Sequence, residues 1–433
     1  MTLDHVLRTR LESAGQGALA RWIESLDDAS GARLGAEVDA VGLDTIATLV
    51  ARRSGVTPPD GVFTPPPYVT LAERRARPRP AEGVRALREG RVAFALLAGG
   101  QASRLQWDGP KGTFPIGPQS ERSLFQLLVE HVCRAGREFG TLPRLAVTTA
   151  ATTDAAIRTF FDRHDCFGFA SDRLAFSPQA SLPALDPDGG VMLAGPDRLY
   201  SSPDGHGGAL VGLERNGVLD TWADAGIDAV VTLQVDNPLL RVVDADLIGR
   251  FYESGAPVAT KIIEKRRPDE RLGTVVLRDG RPAIIEYSEL PATMGSARDA
   301  AGRLVWRLGS IAVHVFSLEF LRAQLSEELP LHVAHKHIPC WGPDGIQRRP
   351  ALKFERFLFD IFPCADAVTI VEASREEEFA PVKNATGDDS PQTARQALLA
   401  KYRRWYEAAG RPVTGRTVEL SPLDAVGPAD LRA

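Results

Sequence analysis

Residues 92–112 read VAFALLAGGQASRLQWDGPKG. The run VAFALLA is continuously apolar, as expected of a strand buried on both faces. Gly99 and Gly100 end it. Glycine tolerates positive φ and lets a ligand approach the backbone closely. Such loops form anion-binding concavities at the carboxyl ends of strands in α/β sheets. Arg104 follows, and Lys111 stands after Pro110. A guanidinium fork and a compact ammonium both suit phosphate oxygens. The loop is neither G-x-x-x-x-G-K-[ST] nor G-x-G-x-x-G, which excludes a Walker A loop and disfavours a dinucleotide fold. A polyphosphate satisfies both a bare backbone and two fixed cations.

Outward from this loop, strand and helix patterns alternate. SLFQLLVEHVCRAGREFG places Leu124, Leu127, Leu128, Val132 and Ala135 on one helical stripe and closes on Gly140. RLAVTT predicts a strand, and TTDAAIRTFFDRH a helix with Thr152 or Thr153 as N-cap. GGALVGLERNGVLDTWADAG predicts one further helix and AVVTLQVDN a buried strand; ADLIGRFYESG and PVATKIIE continue the alternation. Within GTVVLRDGRPAIIEYSE, Asp279-Gly280 signals a hairpin. The expected fold is therefore α/β: a Rossmann-like, mixed but mostly parallel sheet flanked by helices.

Residues 3 to about 57 carry helical periodicity through Leu19, Trp22, Ile23 and Leu26. Thr57–Pro80 holds seven of the 31 prolines and reads as a connector over the surface. Ser390-Pro391 starts a last helix, and the stretch from Arg411 resists assignment. The expected division is 1–85 (helical segment and connector), 86–385 (catalytic domain) and 386–433 (small C-terminal part).

With 433 residues, 44% of them hydrophobic, the chain can bury a large core. A net charge of -5 gives no nucleic-acid footprint. Cys133, Cys166, Cys340 and Cys364 show no C-x-x-C spacing, so buried free thiols are expected, not disulfides or zinc. No apolar run is long enough for a membrane helix and no signal peptide opens the chain, so a cytoplasmic protein is expected. His332, His335 and His337 suggest a metal cluster at first sight, but carboxylate support is missing and the reading is rejected.

The loop resembles the signature of the eukaryotic-type UDP-sugar pyrophosphorylases, nearest to their UDP-N-acetylhexosamine branch. FSPQASLPAL (176–185), PDGHGGAL (203–210), LQVDNPLL (233–240), IIEYSEL (284–290), LPLHVAHKHIP (329–339), LKFERFLFDIF (352–362) and EEEFAPVKNA (376–385) are similar to successive blocks of that family, in its order. The resemblance implies a nucleotidyltransferase fold of the GT-A-like kind and the substrates UTP and a sugar 1-phosphate. It implies UTP contacts from Leu97, Ala98, Gly99, Gly100, Gln101, Lys111, Gln179, Gly205, Gln234 and Lys353. Sugar-phosphate contacts fall to His206, Glu286, Tyr287, Ser310 and Lys383. Arg104, Lys111, Asp236 and Lys383 become the catalytic set, with Asp236 binding Mg²⁺ or Mn²⁺. Two positions depart from the hexosamine branch, which has Asn where this chain has His206 and Ser310.

The implied reaction joins two polyanions, so positioning and charge stabilisation carry it. The expected product is UDP-N-acetylglucosamine with pyrophosphate. Alternatives are glucose or galactose 1-phosphate as acceptor, and a non-catalytic sensor of UDP-sugars.

Overall fold

The computed structural model describes residues 5–53, 60–342, 344–411, 413 and 419–432. Their contacts group into two compact units. The larger comprises Pro58–Pro178, Val211–Glu328 and Phe359–Ala433; the smaller comprises Met1–Thr57, Gln179–Leu210 and Leu329–Leu358. The boundaries expected at 85/86 and 385/386 divide the chain in order, whereas the contacts gather segments far apart in sequence.

The larger unit is built on a ten-stranded sheet. In chain order its strands are β1 (Phe63–Thr64), β2 (Val92–Leu97), β3 (Arg144–Ala150), β4 (Leu174–Gln179), β5 (Ala229–Gln234), β6 (Val258–Glu264), β7 (Thr274–Arg278), β8 (Arg281–Ile285), β9 (Leu308–Ser317) and β10 (Val368–Glu372). Neighbours run β1-β7-β9-β5-β2-β3-β4, with β8 on β7, β6 on β9 and β10 on β6. All six residues of β2 are buried, because parallel neighbours flank it and helices cover its faces. Leu97 pairs with Gln234 and Thr148, so three strands end at one edge and their loops rise together. The mixed character comes from β9, antiparallel to β5, β6 and β7, and from β7, antiparallel also to β1 and β8.

Helix Leu124–Phe139 forms as its stripe requires. Ser123 Oγ accepts from Gln126 N, and Gly140 closes the helix at φ 83°. Thr153 is the N-cap residue of helix Asp154–Arg163, although its hydroxyl bonds Ala150. Asp279 and Gly280 take φ of 51° and 80°, the left-handed pair that a two-residue hairpin needs. Ser390 and Pro391 start helix Pro391–Ala408.

Three expectations change. The single helix expected over 207–226 is two, Gly205–Arg215 and Val218–Asp224, because Gly217 turns left-handed at φ 69° between them. The proline-rich connector is part of the sheet: Phe63–Thr64 pairs with β7, Val69 bridges Val371, and Thr70 and Glu73 cap helix Leu71–Ala76. Residues 57–59 of it lie outside the described residues. Past Arg411, where residues 412 and 414–418 are likewise outside, Leu420, Ala425 and Leu431 join the main core.

In the smaller unit the helical N-terminal region is four helices: His5–Ser13, Gly17–Ser25, Asp28–Val41 and Leu43–Arg52. Gly15 and Gly42 at positive φ, and Asp27 as an N-cap, break the run. Leu19, Ile23, Leu34 and Ile46 fill their common core. A long hairpin, Leu331–Gly342 with Gly345–Arg356, pairs residue for residue along its length and carries Leu193–Gly195 on its edge.

Among the described residues no helix is long and apolar enough to cross a membrane. All four cysteines are free thiols; Cys340 is buried, but Cys364 is exposed, against the expectation.

Candidate active site

The glycine loop is tied into a closed frame. Ala98 N donates to Thr148 O at 3.2 Å, Ala102 N to Gly109 O at 3.2 Å, and Lys111 N to Gly100 O at 3.1 Å. The last bond fixes Lys111 beside Gly100. Neither Gly99 nor Gly100 uses positive φ, so the glycines are not needed for the turn. Their use is space: a Cβ at Gly100 meets no protein atom within 4 Å. Leu97 and Ala98 are buried under the loop, and Gln101 is exposed at its rim. Arg104 lies in the short 3₁₀ turn Ser103–Leu105, exposed, with no hydrogen bond or ion pair to the described residues.

Lys111 opens a second 3₁₀ turn, Lys111–Thr113, and its Nζ lies 3.5 Å from Asp236 Oδ2. Asp236 sits two residues past Gln234, the last residue of β5. Asp236 O accepts from Val382 N at 2.8 Å, which brings the segment with Lys383 alongside. Lys383 N in turn donates to Asp389 O at 2.7 Å. The structure therefore joins Lys111, Asp236 and Lys383 into one cluster at the carboxyl ends of β2 and β5.

Sequence reasoning missed three residues of this cluster and its surroundings. Buried Asn237 staples the loops: its Nδ2 donates to Glu378 O at 2.8 Å, and its Oδ1 accepts from Ala380 N at 3.1 Å. Asp389 has its carboxyl pushed up by burial, eased by Lys383 and reinforced by Asp236. Lys265 is buried with Nζ 2.5 Å from Thr274 Oγ1, and burial pushes it down to about 8, against the pull of Glu270 and Glu286. Asp236 and Glu270 thus lie within electrostatic reach of Asp389, and Glu270 and Glu286 within reach of Lys265. The signal available in the sequence was slight: a lysine after a strand and an Asp pair after Lys383.

Glu286 follows β8, and Tyr287 beside it is 44% exposed. Ser310 is buried in β9; its N donates to Gly273 O at 2.8 Å and its Oγ accepts from Ala312 N at 3.2 Å.

The smaller unit holds the other candidates. Gln179 is buried, and its Nε2 donates to Asp204 Oδ1 at 3.1 Å and Gly205 O at 2.9 Å. Asp204, a buried carboxylate that the sequence did not flag, also takes Arg356 Nη1 at 3.2 Å. Gly205 has φ 89°, and a Cβ there would sit 2.4 Å from Arg356 O, so only glycine fits. His206 Nδ1 accepts from Leu358 N at 2.9 Å, which places the proton of the neutral ring on Nε2. Its ring stacks on Phe357, and Phe357 stacks on His332. Burial, with His332 adding, pushes His206 down to about 4. Lys353 is half-buried on the long hairpin opposite Ala334; His335 and His337 are exposed on the facing strand.

Known proteins show what the chain is similar to. The profile of the family described as UDPGP, UTP--glucose-1-phosphate uridylyltransferase, matches residues 65–420. The chain is 36% identical over 375 residues to UDP-N-acetylglucosamine diphosphorylase 1 of Arabidopsis thaliana, covering 81% of this chain and 74% of that protein. It is 35% identical over 440 residues to UDP-N-acetylhexosamine pyrophosphorylase-like protein 1 of Homo sapiens, covering 95% and 87%. The crystal structure of the uridine diphosphate N-acetylglucosamine pyrophosphorylase from Trypanosoma brucei superposes with a TM-score of 0.83 at 28% identity, over 99% of this chain and 94% of that one. A profile match over most of the chain and relatives above 30% identity make one conclusion: the chain belongs to the UTP--glucose-1-phosphate uridylyltransferase family and is a nucleotidyltransferase.

Proposed function

We propose that the protein transfers the uridylyl group of UTP to N-acetylglucosamine 1-phosphate, releasing pyrophosphate. The observation that carries this reading is the Lys111–Asp236 pair at 3.5 Å, set with Lys383 where the glycine loop and the loop after β5 rise from one sheet edge. A phosphate oxygen of the sugar phosphate attacks the α-phosphorus of UTP, and the α–β bridging bond breaks as pyrophosphate leaves. The attacking phosphate is already ionised near neutral pH, so no general base is required.

Lys111 and Arg104 neutralise the triphosphate and the departing pyrophosphate, and Lys383 steers the incoming sugar phosphate. Leu97, Ala98, Gly99, Gly100 and Gln101 leave room for the nucleotide, with Gln234 at the end of β5 and Lys353 as further UTP contacts. Gln179 uses both amide hydrogens on Asp204 and Gly205 O, which leaves Oε1, the complement of the N3–H of uracil. Gly205 accompanies it. Glu286, Tyr287, Ser310 and His206 read the sugar.

A divalent ion, Mg²⁺ or Mn²⁺, fits the residues present. Burial and Asp236 disfavour charge on Asp389, and a cation relieves that cost. Asp236 with Asp389 would hold the ion, the remaining ligands coming from substrate phosphates. When bound, it supplies positive charge to the α-phosphate.

His206 and Ser310 favour a second reading, with glucose or galactose 1-phosphate as acceptor. Pyrophosphate release from UTP with N-acetylglucosamine, N-acetylgalactosamine, glucose and galactose 1-phosphates separates the two. The first is expected to react fastest; a preference for glucose 1-phosphate overturns the N-acetyl assignment, and no release with any of them overturns the transfer itself.

A further inference from the structure

The larger unit contains a cavity of about 510 Å³, whose lining includes Arg75, Arg79 and Arg241 and, from helix Pro391–Ala408, Lys401, Arg404 and Trp405. A small lobe of about 50 Å³ shares Arg79, His131 and Arg241 with it. The acidic groups on the main wall are already engaged. Asp246 takes Arg74 at 2.7 Å, Glu377 takes Arg404 at 2.7 Å, and Glu378 pairs with Lys261. Two carboxylates line only the small lobe: exposed Glu138, and buried Asp244, which pairs with Arg74 at 2.9 Å and Lys261 at 2.8 Å.

Cations on the same wall are left over. The guanidinium groups of Arg75, Arg79 and Arg241 make no hydrogen bond or ion pair with the described residues. Lys401 is buried; its Nζ donates to Leu239 O at 2.9 Å and lies 5.0 Å from the Trp405 ring centre, with no carboxylate in ion-pair reach. Burial pushes Lys401 down to about 8 and His131 down to about 3. Burial outweighs the attraction of Glu377 and Glu378 for the Lys401 ammonium, and an anion held directly against it would offset that cost.

We propose that this cavity is a second anion site, which takes a small phosphate-bearing molecule with its phosphate on Arg79, Arg241 and Lys401 and its body against Trp405. Arginine forks match phosphate oxygens, and the aromatic wall suits a carbon skeleton. The site is wired to the catalytic loop. Lys401 holds Leu239 O, Asn237 holds Glu378 O, and Val382 N holds Asp236 O. An occupant therefore stiffens the loop that presents Asp236. The binding part of the proposal stands whether or not the reaction is uridylyl transfer.

Equilibrium dialysis with radiolabelled orthophosphate and with glucose 6-phosphate tests it, on the wild type, Lys111→Ala and the double variant Arg79→Ala/Arg241→Ala. Both arginines are exposed, so the double variant leaves the core intact. Expected is binding that survives in Lys111→Ala and weakens at least about tenfold in the double variant, as loss of charge-assisted bonds implies. A tighter fit of the ester assigns the ligand to phosphate esters; equal affinity assigns it to free phosphate. Amide exchange across Leu239–Arg241 is expected to slow on binding in the wild type and in Lys111→Ala, and not in the double variant. Binding unchanged in the double variant, lost in Lys111→Ala, or absent overturns the site; exchange unchanged on binding overturns the coupling.

Discussion

Lys111 and Asp236 stand 125 positions apart in the chain, yet their charges meet at 3.5 Å. Lys111→Ala is expected to lower turnover about 10²–10³-fold, by loss of a transition-state donor, in steady-state pyrophosphate release; near-normal turnover rejects the role. His206 offers a test in stability. Its folded value of about 4 lies below the ordinary 6.5, so the folded state binds fewer protons between those limits. The stability it contributes is complete above about pH 6.5 and drains as pH falls toward about 4. Thermal melts of the wild type and His206→Asn should therefore draw closer on acidification; a constant gap contradicts the buried neutral ring. The cations Arg104 and Lys111 were visible in the sequence because phosphate chemistry names residue types, whereas Lys383 was singled out only by the family resemblance of the block around it. Lys265, Asp389 and Asn237 were not, because what marks them is burial and neighbours brought in from distant segments.

At the level of elements, the turn Lys111–Thr113 is pinned by packing. A Cβ on Gly112 would lie 2.3 Å from the Phe125 ring. Gly112→Ala is expected to cost about 1–3 kcal/mol from overpacking, read as a lowered urea midpoint. It should also displace Lys111 and cut turnover, since small misplacements of catalytic groups are expensive. Unchanged turnover would show that the turn yields without moving the lysine. Farther along the sheet, fully buried Lys261 in β6 pairs with Asp244 at 2.8 Å and with Glu378, tying the strand to the loops behind Asp236. Coulombic attraction from Lys261 and Arg74 holds Asp244 well below the usual carboxylate range in spite of its burial. Lys261→Met leaves those carboxylates short of a partner and should destabilise by about 3–5 kcal/mol in chemical denaturation. Periodicity revealed most strands and helices. It missed the break at Gly217, where apolar spacing continues across a turn, and it took the proline-rich segment for a mere connector because prolines hide edge pairing.

On the scale of the whole molecule, a net charge of -5 coexists with a local cluster of cations. Overall balance decides solubility and partners; the reaction depends on the local field. Removing divalent ions with EDTA is expected to abolish pyrophosphate release, and excess Mg²⁺ to restore it. Full activity under chelation would show that Lys111, Arg104 and Lys383 alone carry the phosphate charge.

By itself the sequence determined the alternating α/β architecture, the glycine loop at the end of the first buried strand and membership of the uridylyltransferase family. These are local properties: hydrophobic period, turn chemistry and short blocks in fixed order. Only the tertiary structure decided that Asp389 and Asn237 share the Lys111–Asp236 cluster, that His206 is a neutral ring held by Leu358, and that a cationic cavity is tied to the catalytic loop. Each of these rests on contacts between segments far apart in the chain, and desolvation and hydrogen bonding take their values only when those segments meet.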